Sequence, residues 1–278
     1  MAIITISRQL GSGGDAVAAE LAKRLNYAHV DRTRISELAE EYGLLKQDLE
    51  RIDEKRPGFI DRYFNETPTI YLNLIQSVIY DAAKRDRVVI VGLGGQVLLR
   101  DLRHALHVKI VASRERRVAF LMEQQPALTR ETAEHLIATS DRDRAGYMKY
   151  LFDVDWMDPR LYDLRINTTK LSIEEAIQIL MRAAQSPSLQ PTPETTEILE
   201  KLALAKKVEA ALIADKQINP RHISVEATPQ GRVVLRGAVS TEQEKQRAEE
   251  VTTGIQGVTH VENELAVTIF PLTHLELM

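Results

Sequence analysis

Ile3-Ile4-Thr5-Ile6 leads into Ser7-Arg8-Gln9-Leu10-Gly11-Ser12-Gly13-Gly14, and Asp15 through Leu25 follows without a break. The first four residues form a run rich in β-branched side chains, the pattern of a strand buried on both faces of a parallel sheet. Three glycines then let the backbone turn tightly and come close to a ligand. Val17, Leu21 and Leu25, with Ala18 and Ala22 beside them, recur at helical spacing, while Glu20, Lys23 and Arg24 fall off that face. Strand, glycine turn and helix make half of a βαβ unit, with helix-start amides that would point at an anion. Glycine also joins strands to helices that bind nothing, so the rest of the chain has to decide.

Four further short apolar runs read as parallel strands: Ala28 to Asp31, Val88 to Val91, Leu106 to Ala112 and Tyr162 to Asn167. Helical patterns separate them. Ile70, Leu74, Ile75, Val78, Ile79 and Ala82 recur at three and four, and Ser172 with Glu175 forms a capping box ahead of Ala176, Ile177, Leu180 and Met181. Such alternation predicts a parallel sheet covered on both faces.

The 278 residues have room for one large domain and a small one, and 44% hydrophobic content supplies a core. A net charge of −4 with no basic stripe argues against nucleic acid as a partner. There is no cysteine, hence no disulfide or thiolate metal site, and the seven histidines show no ligand spacing, so no metal held by the protein alone is expected. No apolar run is long enough for a signal peptide or membrane span, which points to a soluble cytoplasmic protein.

Ser186-Pro187-Ser188-Leu189-Gln190-Pro191-Thr192-Pro193 lacks apolar periodicity and reads as a linker. Beyond it come a helix (Ile198, Leu199, Leu202, Ala205, Val208, Leu212), a strand (His222 to Ala227), a turn at Pro229-Gln230-Gly231 and a strand (Val233 to Val239). Ser240 and Gln243 fit a capping box for a helix to about Thr253, and Val258 to Ile269 closes with a third strand. The expected organisation is a domain over 1–184, a linker over 185–196 and a small αββαβ domain over 197–271.

The first domain resembles the cytidylate-kinase-like family of P-loop nucleoside monophosphate kinases, in the branch whose loop reads S-R-x-x-G-S-G-G. The likeness continues through Val30-Asp31-Arg32, Val89-Ile90-Val91-Gly92-Leu93-Gly94, Asp141 through Arg144 to Tyr147, Trp156-Met157-Asp158-Pro159, Tyr162-Asp163-Leu164 and Ile166-Asn167-Thr168. It spans roughly residues 1 to 182. The tail resembles the BON domain through Leu235-Arg236-Gly237-Ala238-Val239 and Gly257-Val258 followed by Val261-Glu262-Asn263. The implied fold is α/β: a P-loop kinase three-layer sandwich with a parallel sheet and a helical lid, followed by a small α+β domain.

The kinase resemblance implies transfer of the ATP γ-phosphoryl group to a nucleoside monophosphate with Mg2+ bridging the phosphates, chemistry that is mostly positioning and charge neutralisation. It places Gly11, Ser12, Gly13, Gly14 and Asp15 at the ATP phosphates and Mg2+. Arg8, Arg117 and Arg144 are the candidate catalytic cations, and Asp31, Arg32, Gly92 and Arg142 the candidate acceptor contacts. The lid should lie between Arg114 and Asp158, with Arg114 a further cation in it. The charges alone favour a solvated helix face, and Asp31 reads equally as an N-cap for a helix carrying Ile35, Leu38 and Ala39.

Two departures stand out. The full P-loop pattern ends in Gly-Lys-Ser/Thr, the lysine reaching the phosphates and the hydroxyl holding Mg2+; this chain has Gly14 and Asp15 there. Arg8 is the candidate to take the lysine's part from another direction, and Asp15 to contact Mg2+. Related kinases usually put an arginine at the acceptor side where this chain has Leu93, which cannot hydrogen-bond a phosphate. Arg100 and Arg103 follow close behind as candidate substitutes.

The BON resemblance suggests a binding module. Its arginines and lysines are interleaved with glutamates, which disfavours a membrane partner and fits a small ligand or a protein contact. Joined to a nucleotide domain, it suggests regulation through lid closure or through self-association into a homo-oligomer. The alternative to an active kinase is a catalytically degenerate nucleotide-binding regulator or sensor.

Overall fold

The computed structural model describes residues 2–31, 33 and 68–268. The chain divides into two compact units, Met1–Thr196 and Glu197–Met278. Arg32 and the segment expected to carry Ile35, Leu38 and Ala39 lie outside the described residues, as does the end of the last expected strand at Ile269.

The first unit is a five-stranded parallel sheet in the order β2-β3-β1-β4-β5. The strands are β1 (Ile3–Arg8), β2 (Ala28–Val30), β3 (Val88–Val91), β4 (Ala105–Val111) and β5 (Leu164–Asn167). One face packs Ile4, Ile6, Val89, Val91, Leu106, Val108, Ile110 and Ile166 against α1 (Gly14–Leu25) and α6 (Ile173–Ala184). The apolar stripe read in α1 is that buried face: Val17, Ala18 and Leu21 are fully buried. The expected capping box at Ser172 and Glu175 is present at the start of α6. On the other face, α2 (Pro68–Lys84) buries Ile75, Val78, Ile79 and Ala82 next to β3, and α3 (Gly95–Leu98) lies on β1. The sheet is covered on both faces, as the alternation of strand and helix required.

Side chains alternate across the β1/β4 ladder. In register, Thr5 faces His107 and Ser7 faces Lys109, and all four are buried. The strand expected at Leu106 to Ala112 therefore exists, but every second residue places a polar group on the inner surface opposite the main core. The expected lid becomes two helices, α4 (Arg114–Gln124) and α5 (Arg130–Phe152), that join through Val118, Ala133 and Ile137.

In the stretch read as a linker, helix α7 (Pro193–Ala214) begins at Pro193. A proline's missing N–H and fixed φ suit the first helical turn, and Thr192 and Thr195 exchange side-chain-to-amide hydrogen bonds at 2.9 and 3.3 Å across its start. The second unit continues with β6 (Ile223–Ala227), β7 (Arg232–Val239), α8 (Glu242–Thr253) and β8 (His260–Val267) in a sheet ordered β6-β7-β8. The cap of α8 is one residue later than read. Thr241 accepts from the Glu244 amide at 3.1 Å, and the Glu244 carboxylate takes the amides of Ser240 and Asn219. Glu244 satisfies two backbone donors at once. On the sheet surface Arg236 pairs with Glu226 (2.7 Å) and Glu264 (2.8 Å), and Arg232 with Glu262 (2.6 Å), so the basic residues there are neutralised by neighbours. Among the described residues no helix is long and apolar enough to cross a membrane.

Candidate functional site

β1 ends at Arg8, and the chain turns through Gln9 to Gly13 into α1. The turn is pinned on three sides. The Gln9 amide donates to the carbonyl of Ile110 (3.0 Å), the Ser12 hydroxyl donates back to the carbonyl of Gln9 (2.7 Å), and the Thr168 hydroxyl donates to the carbonyl of Ser12 (2.8 Å). Gly11 and Gly13 have φ of 79° and 74°, a left-handed backbone that favours glycine. Gly11 is also pressed against α4, where an added Cβ would lie 2.7 Å from the Arg117 carbonyl. No side chain caps α1: its N-cap is Gly13, so the helix-start amides face the loop without a protein acceptor from a side chain.

The missing lysine has a geometric counterpart. A Cβ on Gly14 would fall 2.4 Å from the Cβ of Arg8. The Arg8 stem thus lies over residue 14, and only glycine leaves room for it. Beyond that crossing, Arg8 Nε donates to Asp15 Oδ1 at 2.8 Å; the arginine is 15% exposed and the aspartate 66%. The two residues expected to meet the phosphates and the metal therefore meet each other first. Arg144 fixes the same strand end, its Nη1 donating to the Arg8 carbonyl at 2.6 Å.

Arg117, a candidate catalytic cation, is engaged within the protein. It is buried, its Nε donates to the Leu10 carbonyl (2.7 Å), and its two terminal nitrogens grip Asp141 in a bidentate pair at 2.7 Å each. A guanidinium held by three such bonds braces the loop against α5.

Ser7, Arg8, Gly92, Leu93, Arg144 and Trp156 line a cleft at the carboxyl ends of β1 and β3. Ligands of open α/β sheets bind at this edge. Its β3 wall is conformationally unusual: Gly92, Leu93 and Gly94 have φ of 79°, 56° and 77° in succession. For a leucine that backbone costs roughly 1–2 kcal/mol. Gly94 has no alternative, because a Cβ there would enter the Phe152 ring at 2.3 Å. Leu93 itself is buried, so this wall brings an apolar side chain where related loops bring a cation.

Residues 3–170 match the model of the cytidylate kinase-like family. The chain belongs to that family. Residues 201–269 match the model of the BON domain. Among curated proteins, the chain is 29% identical over 196 residues to the cytidylate kinase of Haloarcula marismortui, covering 67% of this chain and 91% of that protein. It is 27% identical over 180 residues to the cytidylate kinase of Pyrobaculum islandicum, covering 64% and 90%. Among solved structures, an uncharacterized protein from Eubacterium ventriosum superimposes with a TM-score of 0.52 at 24% identity, covering 67% of this chain and 99% of that one, which shows a shared fold.

Within this family framework, the structure brings together Arg8, Ser12, Gly11, Gly13, Gly14, Asp15, Arg144 and Gly92, with Arg117 behind them. It leaves others apart. Arg142 is exposed with Thr139 as neighbour at 3.5 Å, Arg114 pairs with Glu134 (3.0 Å) and Arg100 with Asp101 (3.6 Å), all away from the cleft lining. Asp31 follows β2, and the helix that would make it an N-cap lies outside the described residues.

Sequence reading missed Lys109. It is 1% exposed, and its Nζ donates to the Trp156 carbonyl (3.0 Å), the Tyr162 hydroxyl (3.3 Å) and Ser7 Oγ (3.4 Å) while lying 3.3 Å from the Trp156 ring centroid. The ring face favours the ammonium. Burial outweighs it and, with the charges of Arg144 and Arg165, pushes the amine down to about 6. Burial likewise raises Tyr162 to about 12 and lowers His107, the latter partly offset by Asp163. The available signal was a lysine and a histidine two apart inside an otherwise apolar strand.

Proposed function

We propose that this chain is an ATP- and Mg2+-dependent phosphotransferase acting on a nucleoside monophosphate, with its site in the Met1–Thr196 unit. The observation that carries the reading is an uncapped α1 N-terminus packed against Arg8, which together with Arg144 lines the neighbouring cleft. The curated relatives, cytidylate kinases, support the same class of reaction. In this reading the loop amides hold the donor phosphates, and Arg8, passing over Gly14, supplies the cation of the absent lysine. Arg144 holds the end of β1 in place and adds positive charge to the cleft wall, while Arg117 keeps the loop in shape.

Mg2+ arriving with the nucleotide would supply neutralisation of the phosphate charge. Asp15 fits as its contact: an exposed carboxylate in the first turn of α1 is the hard oxygen donor such an ion takes. Among the described residues no group of three or more metal-ligating side chains comes together. Because Asp15 is paired with Arg8, it must leave that pair, and nucleotide without metal would meet its negative charge.

ADP release from the full chain with ATP, Mg2+ and a panel of nucleoside monophosphates tests this reading, with Arg8→Ala and Arg144→Ala as controls. Acceptor-dependent turnover, lost in both variants, is expected. Leu93 in the acceptor-side wall favours a second reading, a regulator that binds nucleotide without transfer, which would give Mg2+-dependent binding and no ADP. The BON-like region is assigned a regulatory role. Unchanged nucleotide affinity and turnover after removal of residues 190–278, across candidate ligands, would end that assignment.

A further inference from the structure

Lys109 is a buried amine whose task the phosphotransfer reading leaves open. Its cage accommodates two protonation states. The Tyr162 hydroxyl donates to the Trp156 carbonyl at 2.9 Å, and Trp156 Nε1 donates to Ser7 Oγ at 2.8 Å. The Ser7 proton is then able to turn to the lone pair of a neutral amine, while an ammonium finds three acceptors and two aromatic faces, Trp156 at 3.3 Å and Tyr162 at 5.0 Å. Among the described residues its hydrogen-bond partners are neutral and no carboxylate forms an ion pair with it. The charges that bear on it are Arg144 and Asp141 from α5, Arg165 from β5 and Asp155 from the loop before β5; His107 lies two residues back on the same strand face and bonds Thr5 at 2.8 Å.

Ser7 and Trp156 have a second surface: they also line the cleft. One layer of protein therefore separates Lys109 from whatever occupies it, with little water to screen the field.

We propose that Lys109 is a positioning residue for the phosphotransfer site: it takes up a proton from solvent when a nucleotide polyphosphate enters the cleft, and so supplies part of the positive charge that position 14 lacks. The proposal rests on the nucleotide reading above. Before nucleotide binds, the amine is pushed by burial to about 6, so it is mostly neutral at pH 7.5. A polyanion need raise its proton affinity only about 100-fold for it to be mostly charged there. No bond other than N–H forms.

Calorimetric titration of the full chain with Mg-ATP in buffers of different ionisation enthalpy tests it, since the slope of observed heat against that enthalpy counts protons taken up. At pH 7.5 the wild type should take up about 0.5–1 proton more than Lys109→Met, and its affinity should weaken by up to about tenfold per pH unit above pH 7. Lys109→Arg, permanently charged, should bind without that uptake. Equal slopes for wild type and Lys109→Met overturn the proposal. Should that variant fail to fold, the wild type alone decides: uptake must fall by about half or more at pH 5.5, where the amine is already charged, and an unchanged slope overturns it. No heat of binding in any buffer would mean that nucleotide does not bind, and both readings fall.

Discussion

The two faces of the β1/β4 ladder use the same backbone for opposite ends. On one, Ile4, Ile6, Val108 and Ile110 interlock with α1 and α6. On the other, Thr5 with His107 and Ser7 with Lys109 form a buried polar seam that runs toward the cleft. The apolar face gains stability from area removed from water. The polar face is stable only while each group keeps its partner, and so it is the face on which charge and ligand can register.

One large expected break of this contrast is on the apolar side. Ile110→Ala should cost about 2–5 kcal/mol in denaturant unfolding at any pH, because nothing there titrates. On the polar side, pH is the lever. Burial depresses the proton affinities of both Lys109 and His107, so the unfolded chain binds more protons than the folded one between about pH 6 and the ordinary lysine range. Unfolding free energy should therefore rise with pH across that window, by up to about 1.4 kcal/mol per unit from Lys109. Lys109→Met should flatten the profile of midpoint against pH, and a parallel shift instead would show that the amine does not titrate there.

Smaller effects sharpen the picture. Thr5→Val removes the hydroxyl that pairs with His107 Nδ1 at 2.8 Å; leaving that buried nitrogen without it should cost about 1–2 kcal/mol. On the exposed sheet of the second unit, Arg232→Ala, which loses the surface pair with Glu262, should shift stability by less than about 1 kcal/mol and less still in high salt.

Ile3 to Gly14 was legible because β-branched runs, glycine turns and helical spacing are local signals that tertiary packing reinforces. The order of strands and helices followed from the same signals. What escaped was relational. Lys109 sat in a run read as apolar, and its partners Ser7, Trp156 and Tyr162 come from distant segments that only the sheet register brings together. Arg117 matched a lid cation by place, and its bonds to Asp141 and the Leu10 carbonyl are contacts that no spacing reveals. At Ser240 the local pattern fitted a cap equally well one residue early, and the Asn219 amide, far off in sequence, decided for Thr241 and Glu244.

The crossing of Arg8 over Gly14 has a consequence for how this loop could have arisen or could be redesigned. A lysine at position 14 would place its first side-chain carbon 2.4 Å from that of Arg8; in the proposed reading, giving up Arg8 first would leave the loop short of its cation. On that reading either single step would pass through an impaired protein. The two loop chemistries are thus separate solutions joined only by a simultaneous double change, and a chain that has adopted one is held there by its neighbours in sequence space.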